Sequence, residues 1–215
     1  MKKILFLMTL LITLAIGSQA QASTYDVHTV QRGDSLWKIA VKYEVGLSEI
    51  INENPEIKNP NLIYPGQKVK VPRKSEADTS VQNEILSLVN AERSKVGLNP
   101  LKLNWELSRV AKIKSEDMAH EGYFSHTSPT YGTPFEMMKH FGIKYKTAGE
   151  NIAAGQKTPK EVMVAWMNSK GHRENILNKK YTEIGVGYFK GGSYGSYWTQ
   201  QFIGNWMFDY LNNRK

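Results

Sequence analysis

The chain contains no cysteine among its 215 residues. This excludes a disulfide framework, a thiol nucleophile and any metal or iron–sulfur site built on cysteine ligands. After residue 22 no stretch approaches the ~20 consecutive apolar residues that a membrane-spanning helix needs. What is present, 40% hydrophobic and 22% charged residues, is typical of folded globular protein. The length suits one or two domains.

The first 22 residues have the pattern of a secretory signal peptide. Residues 1–3 are basic, residues 4–16 are apolar apart from two threonines, and Ala20–Ala22 reads A-Q-A. We expect cleavage after Ala22 and no stable membrane insertion of the mature chain. An uncleaved anchor is the alternative, but the apolar run is shorter than the ~20 residues that a spanning helix requires.

A change in composition near residue 73 predicts two domains. Asparagine and proline punctuate the segment before it, and residues 73–80 contain no large apolar side chain. Apolar residues recur at helical spacing from Val81 onward. We therefore predict a small domain over residues 23–72, a linker over residues 73–80 and a second domain over residues 81–215.

The small domain has a predicted βααβ order. Residues 29–31 form a strand candidate, and Asp34 or Ser35 can cap the helix that follows. A second helix begins near Leu47 and ends before Pro55. The alternating pattern of residues 68–72 predicts the closing strand.

Three stretches of this domain form a specific motif. They read T-V-Q-R-G-D-S-L-W-K-I-A from residue 29, I-I-N-E-N-P from residue 50 and N-P-N-L-I-Y-P-G-Q-K-V-K-V-P from residue 59. In this order they resemble the LysM domain over its whole length. The resemblance implies binding of N-acetylglucosamine-containing glycans, chiefly peptidoglycan or chitin, in a groove between two loops. The matching positions are Gly33, Asp34, Ser35, Leu36, Pro60, Asn61, Leu62, Ile63 and Tyr64.

A structural interpretation of the same residues stays open. Asp34 and Ser35 can serve only as helix caps, and Leu62 and Ile63 can belong to the core. Residues 28–72 carry six basic and five acidic side chains. Long-range charge is therefore not expected to drive glycan binding.

The second domain is predicted to be α+β. A helix over residues 81–95 is followed by a helix capped by Asn104, and a helix begins after Thr158. Residues 183–189 and 197–203 form a predicted terminal hairpin. Its loop, residues 191–195, matches G-x-S-x-G, but a loop between two strands is the wrong setting for a nucleophile elbow.

Four motifs give this domain a second resemblance. They read F-S-H-T-S-P at 124–129, A-G-E-N-I-A at 148–153, A-W-M-N-S-K-G-H-R-E-N-I-L at 165–177, and Y-T-E-I-G-V-G at 181–187 with Y-W-T-Q-Q-F at 197–202. In this order they resemble the CAP superfamily of cysteine-rich secretory, antigen 5 and pathogenesis-related 1 proteins, including its bacterial SCP-like type. The resemblance implies a three-layer α-β-α sandwich with a central cleft.

In eukaryotic members of the superfamily, two histidines and two glutamates line the cleft, and some members bind a divalent metal there. The matching positions here are His126, Glu150 and His172. The second glutamate falls on Ser169, so one carboxylate is missing, and Glu174 is a possible substitute. No cofactor is expected to be required, and a divalent metal such as zinc is expected to bind weakly.

The residues themselves leave three interpretations of His126, Glu150 and His172 open. Two imidazoles and a carboxylate can hold zinc with a position for water. They can act as a base and an acid near neutral pH, which makes all three candidate catalytic residues. They can also hydrogen-bond one another and only support the loops. The other histidines, His28, His120 and His140, have the pattern of ordinary exposed residues.

The leading functional hypothesis is a secreted peptidoglycan-binding protein that presents a CAP domain at the cell wall. A metal-assisted hydrolase with LysM as its targeting module is one alternative. A structural protein of the spore coat or cortex is the other, because residues 54–67 look most like LysM domains of spore coat proteins, and wall or coat proteins would then be partners. The net charge of +8 comes without an aromatic–basic module, so nucleic acid is not an expected partner.

Overall fold

The structure is a computed structural model that describes residues 24–205, so the predicted signal peptide lies outside the described residues. Its elements, in chain order, are β1 Tyr25–Thr29, α1 Leu36–Tyr43, α2 Leu47–Glu53, β2 Lys68–Pro72, α3 Glu76–Lys95, β3 Lys102–Leu103, α4 Trp105–His120, α5 Pro134–His140, β4 Thr147–Ala154, α6 Pro159–Asn168, α7 Lys170–Ile176, β5 Glu183–Lys190 and β6 Ser196–Gly204. Within residues 24–205, no helix combines the length and apolar character needed to cross a membrane.

The small domain has the predicted βααβ order. β1 and β2 pair antiparallel from Tyr25↔Pro72 to Thr29↔Lys68, and the two helices pack on this ribbon around a core of its own. The first strand was predicted too late, at residues 29–31. All five residues of β2 pair with β1, so the strand begins at Tyr25. Gln31 lies beyond the strand, where its amide donates a hydrogen bond to the Asp34 carboxylate.

The predicted linker is largely helical. α3 begins at Glu76, because the Ser75 hydroxyl accepts a hydrogen bond from the Asp78 amide and acidic residues occupy the first turn. Only residues 73–75 connect the domains. The predicted linker over residues 73–80 therefore overlaps α3, because the cap at Ser75 begins the helix before Val81, the first large apolar residue.

The second domain is the expected three-layer α-β-α sandwich. Its sheet has the order β3-β5-β6-β4, with β4, β5 and β6 antiparallel and β3 parallel to β5. Helices α3, α6 and α7 pack on one face through a large apolar cluster that includes Ile85, Val89, Val162, Trp166, Ile176, Trp198 and Phe202. Helices α4 and α5 pack on the other face. The predicted caps Asn104 and Thr158 are confirmed.

Two glycines let α4 lie close to β5. A Cβ atom on Gly185 would lie 2.3 Å from the carbonyl carbon of Leu107, and one on Gly187 would lie 2.1 Å from that of Ala111. The neighbours Ile184 and Val186 point to the opposite face of the sheet, in the apolar cluster with α3. With the sequence I-G-V-G, β5 presents glycines to α4 on one face and bulky apolar side chains to the cluster with α3 on the other.

Candidate functional site

A histidine–carboxylate pair is the centre of the candidate site in the second domain. His126, on the loop after α4, has Nδ1 2.9 Å from Oε1 of Glu150 on β4. The Glu150 side chain is only 2% exposed, whereas that of His126 is 50% exposed. Gln201 on β6 faces Glu150 across the sheet and donates from Nε2 to Oε2 over 3.0 Å. A buried, oriented carboxylate therefore holds an imidazole that faces solvent.

Lys114 on α4 contacts the loop that carries His126. Its side chain is fully buried, and its ammonium donates to the His126 carbonyl over 3.0 Å and to the Tyr123 hydroxyl over 2.9 Å. Burial lowers the pKa of Lys114, while the carboxylates of Glu150 and Asp117 oppose that shift. The lysine fixes the backbone that carries His126 and places a positive charge beside Glu150.

Asp117, one turn further along α4, holds the same loop through three hydroxyls. Its carboxylate accepts from Tyr123 over 2.5 Å, from Ser128 over 2.6 Å and from Thr130 over 2.8 Å. Burial raises the pKa of Asp117, but these hydroxyl donors outweigh burial and bring it below its usual value. The loop that carries His126 is thereby tied to a helix rather than left free.

A network of amides positions α7, which carries His172. Asn151 is fully buried and donates from Nδ2 to the His172 carbonyl over 3.1 Å. Asn175 donates from Nδ2 to Oδ1 of Asn151 over 2.8 Å and to the Glu150 carbonyl over 3.2 Å. These bonds connect α7 to β4, beside the Glu150 backbone.

The three predicted side chains do not form a metal-ligand set. His126 contacts Glu150, and His172 is close enough to His126 for its pKa to respond, but both Glu150 oxygens already have partners in His126 and Gln201. Across residues 24–205, no three histidine, aspartate or glutamate side chains are grouped so that they could hold a metal ion. This arrangement does not fit a zinc ion held by all three residues, and weak zinc binding stays a prediction.

Among residues 24–205, no second carboxylate joins His126, Glu150 and His172 in a group that could hold a metal ion. Ser169 lies between α6 and α7, where it ends one helix and begins the next. Glu174 is exposed on α7. The arrangement therefore supports a histidine–carboxylate pair better than a four-residue centre.

The stability of this domain should fall as the pH drops below about 6.5, and His172 should contribute to the loss. Burial, followed by the nearby charge of His126, lowers the pKa of His172 in the folded state. The unfolded chain then binds a proton that the folded chain resists, so stability is lost between the ordinary histidine pKa and the lowered one. Urea midpoints measured between about pH 7.5 and about pH 5 should decline less steeply for His172→Gln than for wild type. Equal slopes would contradict this assignment.

In the first domain, the segments that flank the two predicted glycan loops are hydrogen-bonded to each other. The amide of Val30 donates to the Gln67 carbonyl, and the amide of Gly66 donates to the Val30 carbonyl, each over 2.9 Å. Gly33 has a φ of 91° in the first loop, a conformation that favours glycine. Next to it, Ser35 caps α1 by accepting from the Lys38 amide.

The nine predicted glycan-binding residues differ in exposure. Leu62 and Tyr64 are 50% and 61% exposed, whereas Leu36 is only 2% exposed and belongs to the domain core. The side chain of Leu36 therefore cannot contact a glycan, because the first turn of α1 directs it inward. Ile63 is half-buried against the same core. The others, Gly33, Asp34, Ser35, Pro60 and Asn61, are exposed or half-buried.

His28 was wrongly predicted to be an ordinary exposed residue. It is 6% exposed, and its ring lies between the Tyr43 hydroxyl at 3.1 Å and the Asp34 carboxylate at 2.9 Å. The hydrogen bonds from His28 and from the Gln31 amide lower the pKa of Asp34. The carboxylate of Asp34 is thus already hydrogen-bonded within the LysM domain. No periodic pattern could predict this contact, since it joins residues six positions apart across a loop.

Comparison with known proteins agrees with this geometry. The model of the cysteine-rich secretory protein family, CAP, matches residues 86–202, and the model of the LysM domain matches residues 28–72. The chain belongs to the cysteine-rich secretory protein family and carries a LysM domain before its CAP domain.

Particular relatives cover different parts of the chain. The uncharacterized protein YkwD of Bacillus subtilis is 60% identical over 126 residues, which are 59% of this chain and 48% of YkwD. SpoIVD-associated factor A of the same organism is 56% identical over 46 residues, which are 21% of this chain and 12% of that protein. This chain therefore spans about half the length of YkwD and a small part of the other relative.

A solved structure supports the fold of the second domain. It is a crystal structure of an extracellular protein containing an SCP domain from Bacillus anthracis, with 33% sequence identity and a TM-score of 0.56. The similarity covers 66% of this chain and 47% of that one. The α+β fold class and both predicted resemblances are thus confirmed.

Proposed function

We propose that this protein is secreted, remains at the cell wall by binding N-acetylglucosamine-containing glycan, chiefly peptidoglycan, and presents its CAP domain there. The observation that carries the proposal is the exposed apolar surface of the LysM domain at its paired loops. Leu62 and Tyr64 are exposed on the second of these loops, although the domain has a complete core without them.

The chemistry of these loops suits an N-acetylated sugar. Its acetamido group needs backbone donors and acceptors, and its methyl group and ring face need an apolar wall. The loop around Gly33 supplies accessible backbone, and Leu62 and Tyr64 supply the wall. Since charges nearly balance over residues 28–72, binding should depend little on salt.

Removing the exposed side chains of Leu62 and Tyr64 should abolish binding of the protein to the glycan without unfolding the domain. Tyr64→Ala and Leu62→Ala each remove side chains that are at least half exposed, so stability should change by less than about 0.5 kcal/mol. Sedimentation of the full chain with insoluble peptidoglycan should fall at least about tenfold for the double variant. Val27→Ala, an exposed change on β1 outside the two loops, is the control and should sediment like wild type. Unchanged sedimentation of the double variant would contradict the proposal.

Hydrolysis at the wall is the second candidate, and one observation favours it. The solvent-facing imidazole of His126, oriented by buried Glu150, is the arrangement of a general base. As a binding protein, the full chain should release no soluble fragments from purified peptidoglycan. Release that His126→Ala abolishes and Tyr64→Ala only slows would favour the hydrolase with a LysM targeting module.

The similarity of the LysM segment to SpoIVD-associated factor A supports a spore-layer location as a further alternative. In that case coat or wall proteins would be additional partners. Fractionating spores and vegetative walls with an antibody against the CAP domain would separate the two locations.

A further inference from the structure

A groove of about 390 Å³ lies between the two domains. The LysM domain contributes one wall from α1 and α2, and the CAP domain contributes the other from α4 and the end of α5. We call it the junction groove and define it by Trp37, Val41, Leu47, Trp105, Arg109 and Phe141. Its volume is within the ~300–1,000 Å³ that small-molecule sites occupy.

An ion pair between Arg109 and Glu49 links the two walls of the junction groove. Its Nε donates to Oε1 of Glu49 over 2.5 Å, and its Nη2 donates to Oε2 of Glu49 and to the Ser48 hydroxyl, each over 2.9 Å. The guanidinium also lies 5.3 Å from the centroid of the Phe141 ring. Burial raises the pKa of Glu49, but Arg109 outweighs it and holds the value below its usual range. The pair therefore stays ionised and joins the domains.

Exposed apolar side chains converge on this groove. Trp37 is 60% exposed, and Val41 and Leu47 are exposed beside it on the LysM wall. Half-buried Trp105 and Phe141 face them from the CAP wall. Such clustering of apolar surface at one place on a protein that already has two complete cores marks a site of binding.

The junction groove adjoins the proposed glycan-binding loop. Trp37 directly follows residues 33–36, which form that loop and the first residue of α1. A linear glycan strand held at the loop continues beyond it in both directions. Trp37, which lines the groove, is therefore the next residue in sequence after the loop that is proposed to hold the strand.

We infer that the junction groove is a second saccharide subsite, which takes N-acetylhexosamine units of the strand whose other units bind the LysM loops. This rests on the proposed function, because the loops must hold the strand first. The axial C–H bonds of a β-linked pyranose form an apolar face that stacks on an indole ring such as Trp37 or Trp105. The polar side chains of Ser48, Glu106 and His140 line the same groove and meet the ring hydroxyls.

The composition of the groove favours a sugar over an amphipathic helix. A helix needs a continuous apolar stripe that receives side chains at every turn. Here Arg109, Glu106 and His140 interrupt the apolar surface, and the charge of Arg109 is already neutralised by Glu49. Flat aromatic surface interleaved with groups that donate and accept hydrogen bonds is what a neutral polyhydroxylated ring requires.

Calorimetric titration of the full chain with chitotriose and chitooctaose tests this inference. Chitotriose is short enough to occupy the loops alone, so wild type, Trp37→Ala and Trp105→Ala should bind it alike. Chitooctaose should bind wild type about tenfold more tightly than chitotriose, and both variants should lose most of this gain. Trp37→Phe keeps an aromatic face and should retain part of it. Tyr194→Ala, an exposed aromatic outside the groove, is the control and should behave like wild type.

The outcomes separate the two proposals. If wild type binds neither oligomer, the proposed glycan binding itself fails. If chitotriose binds but chitooctaose binds no more tightly, the junction groove is not a second saccharide subsite. The same conclusion follows if both tryptophan variants keep the gain, or if they weaken the binding of both oligomers equally. A gain seen only with peptide-bearing muropeptides would show that the groove takes the stem peptide, which would also overturn the inference.

Discussion

Replacing Gly187 with alanine should unfold the CAP domain under conditions in which the wild-type domain is folded. The added Cβ would lie 2.1 Å from the carbonyl carbon and 2.2 Å from the carbonyl oxygen of Ala111. These are backbone atoms of α4, so no flexible side chain can move aside. Separating α4 from β5 would open the most extensive helix–sheet contact of the domain. We expect a loss of at least about 3 kcal/mol, at the upper end of overpacking effects.

Gly171→Ala is the matched control for this change. Gly171 lies in α7, and a Cβ atom there would meet nothing within 4 Å. Alanine at a helical position should leave stability unchanged or raise it by about 0.5–1 kcal/mol. Differential scanning calorimetry of both variants should show the CAP transition lost in one and retained in the other. A Gly187→Ala protein that melts like wild type would contradict the close packing of α4 on β5.

Replacing Asn54 with alanine should unfold the LysM domain and abolish glycan binding with it. Asn54 is 1% exposed, and its Nδ2 donates to the carbonyls of Ile50 and Lys70, each over 2.7 Å. Its Oδ1 accepts from the Lys70 amide over 2.8 Å. Alanine would leave these buried groups without partners, at a cost of about 1–3 kcal/mol each. A domain of this size has only about 3–5 kcal/mol of stability to lose.

Asn52→Ala tests whether the effect belongs to this side chain. Asn52 is exposed on the same helix, so its replacement should leave the domain folded. The calorimetric transition of the LysM domain and peptidoglycan sedimentation should both be lost for Asn54→Ala and both be retained for Asn52→Ala. If Asn54→Ala still sediments, the amide is not the link that holds α2 to β2.

Elements with a local signal were predictable from the sequence. Asn104 and Thr158 are helix caps because their side chains accept amide hydrogen bonds three residues ahead, and that spacing is visible in any sequence. The terminal hairpin follows from two apolar runs around a glycine-rich loop. The start of α3 was missed because its first turn contains no large apolar residue, although Ser75 and Asp78 carry the same capping signal.

The candidate site was only partly predictable, for a physical reason. His126 and Glu150 were paired through their resemblance to family motifs, since their separation of 24 residues gives no local signal. Lys114 was missed because a lysine in a polar helix looks like a surface residue, and only the fold shows its complete burial. Leu36 was assigned to the glycan for its place in the motif, although its position in α1 makes it core.

Glycan binding by the LysM domain is tested most directly by a nuclear magnetic resonance titration of the full chain with chitotriose, in which amide chemical shifts are followed. We expect that the largest changes fall on residues 33–36 and 60–64, that they saturate, and that Tyr64→Ala removes them. Amides around His126 and Glu150 should stay unchanged, because the CAP cleft has no part in holding the glycan. Saturable shifts centred on His126 with none at residues 60–64 would contradict the assignment of glycan binding to the LysM domain.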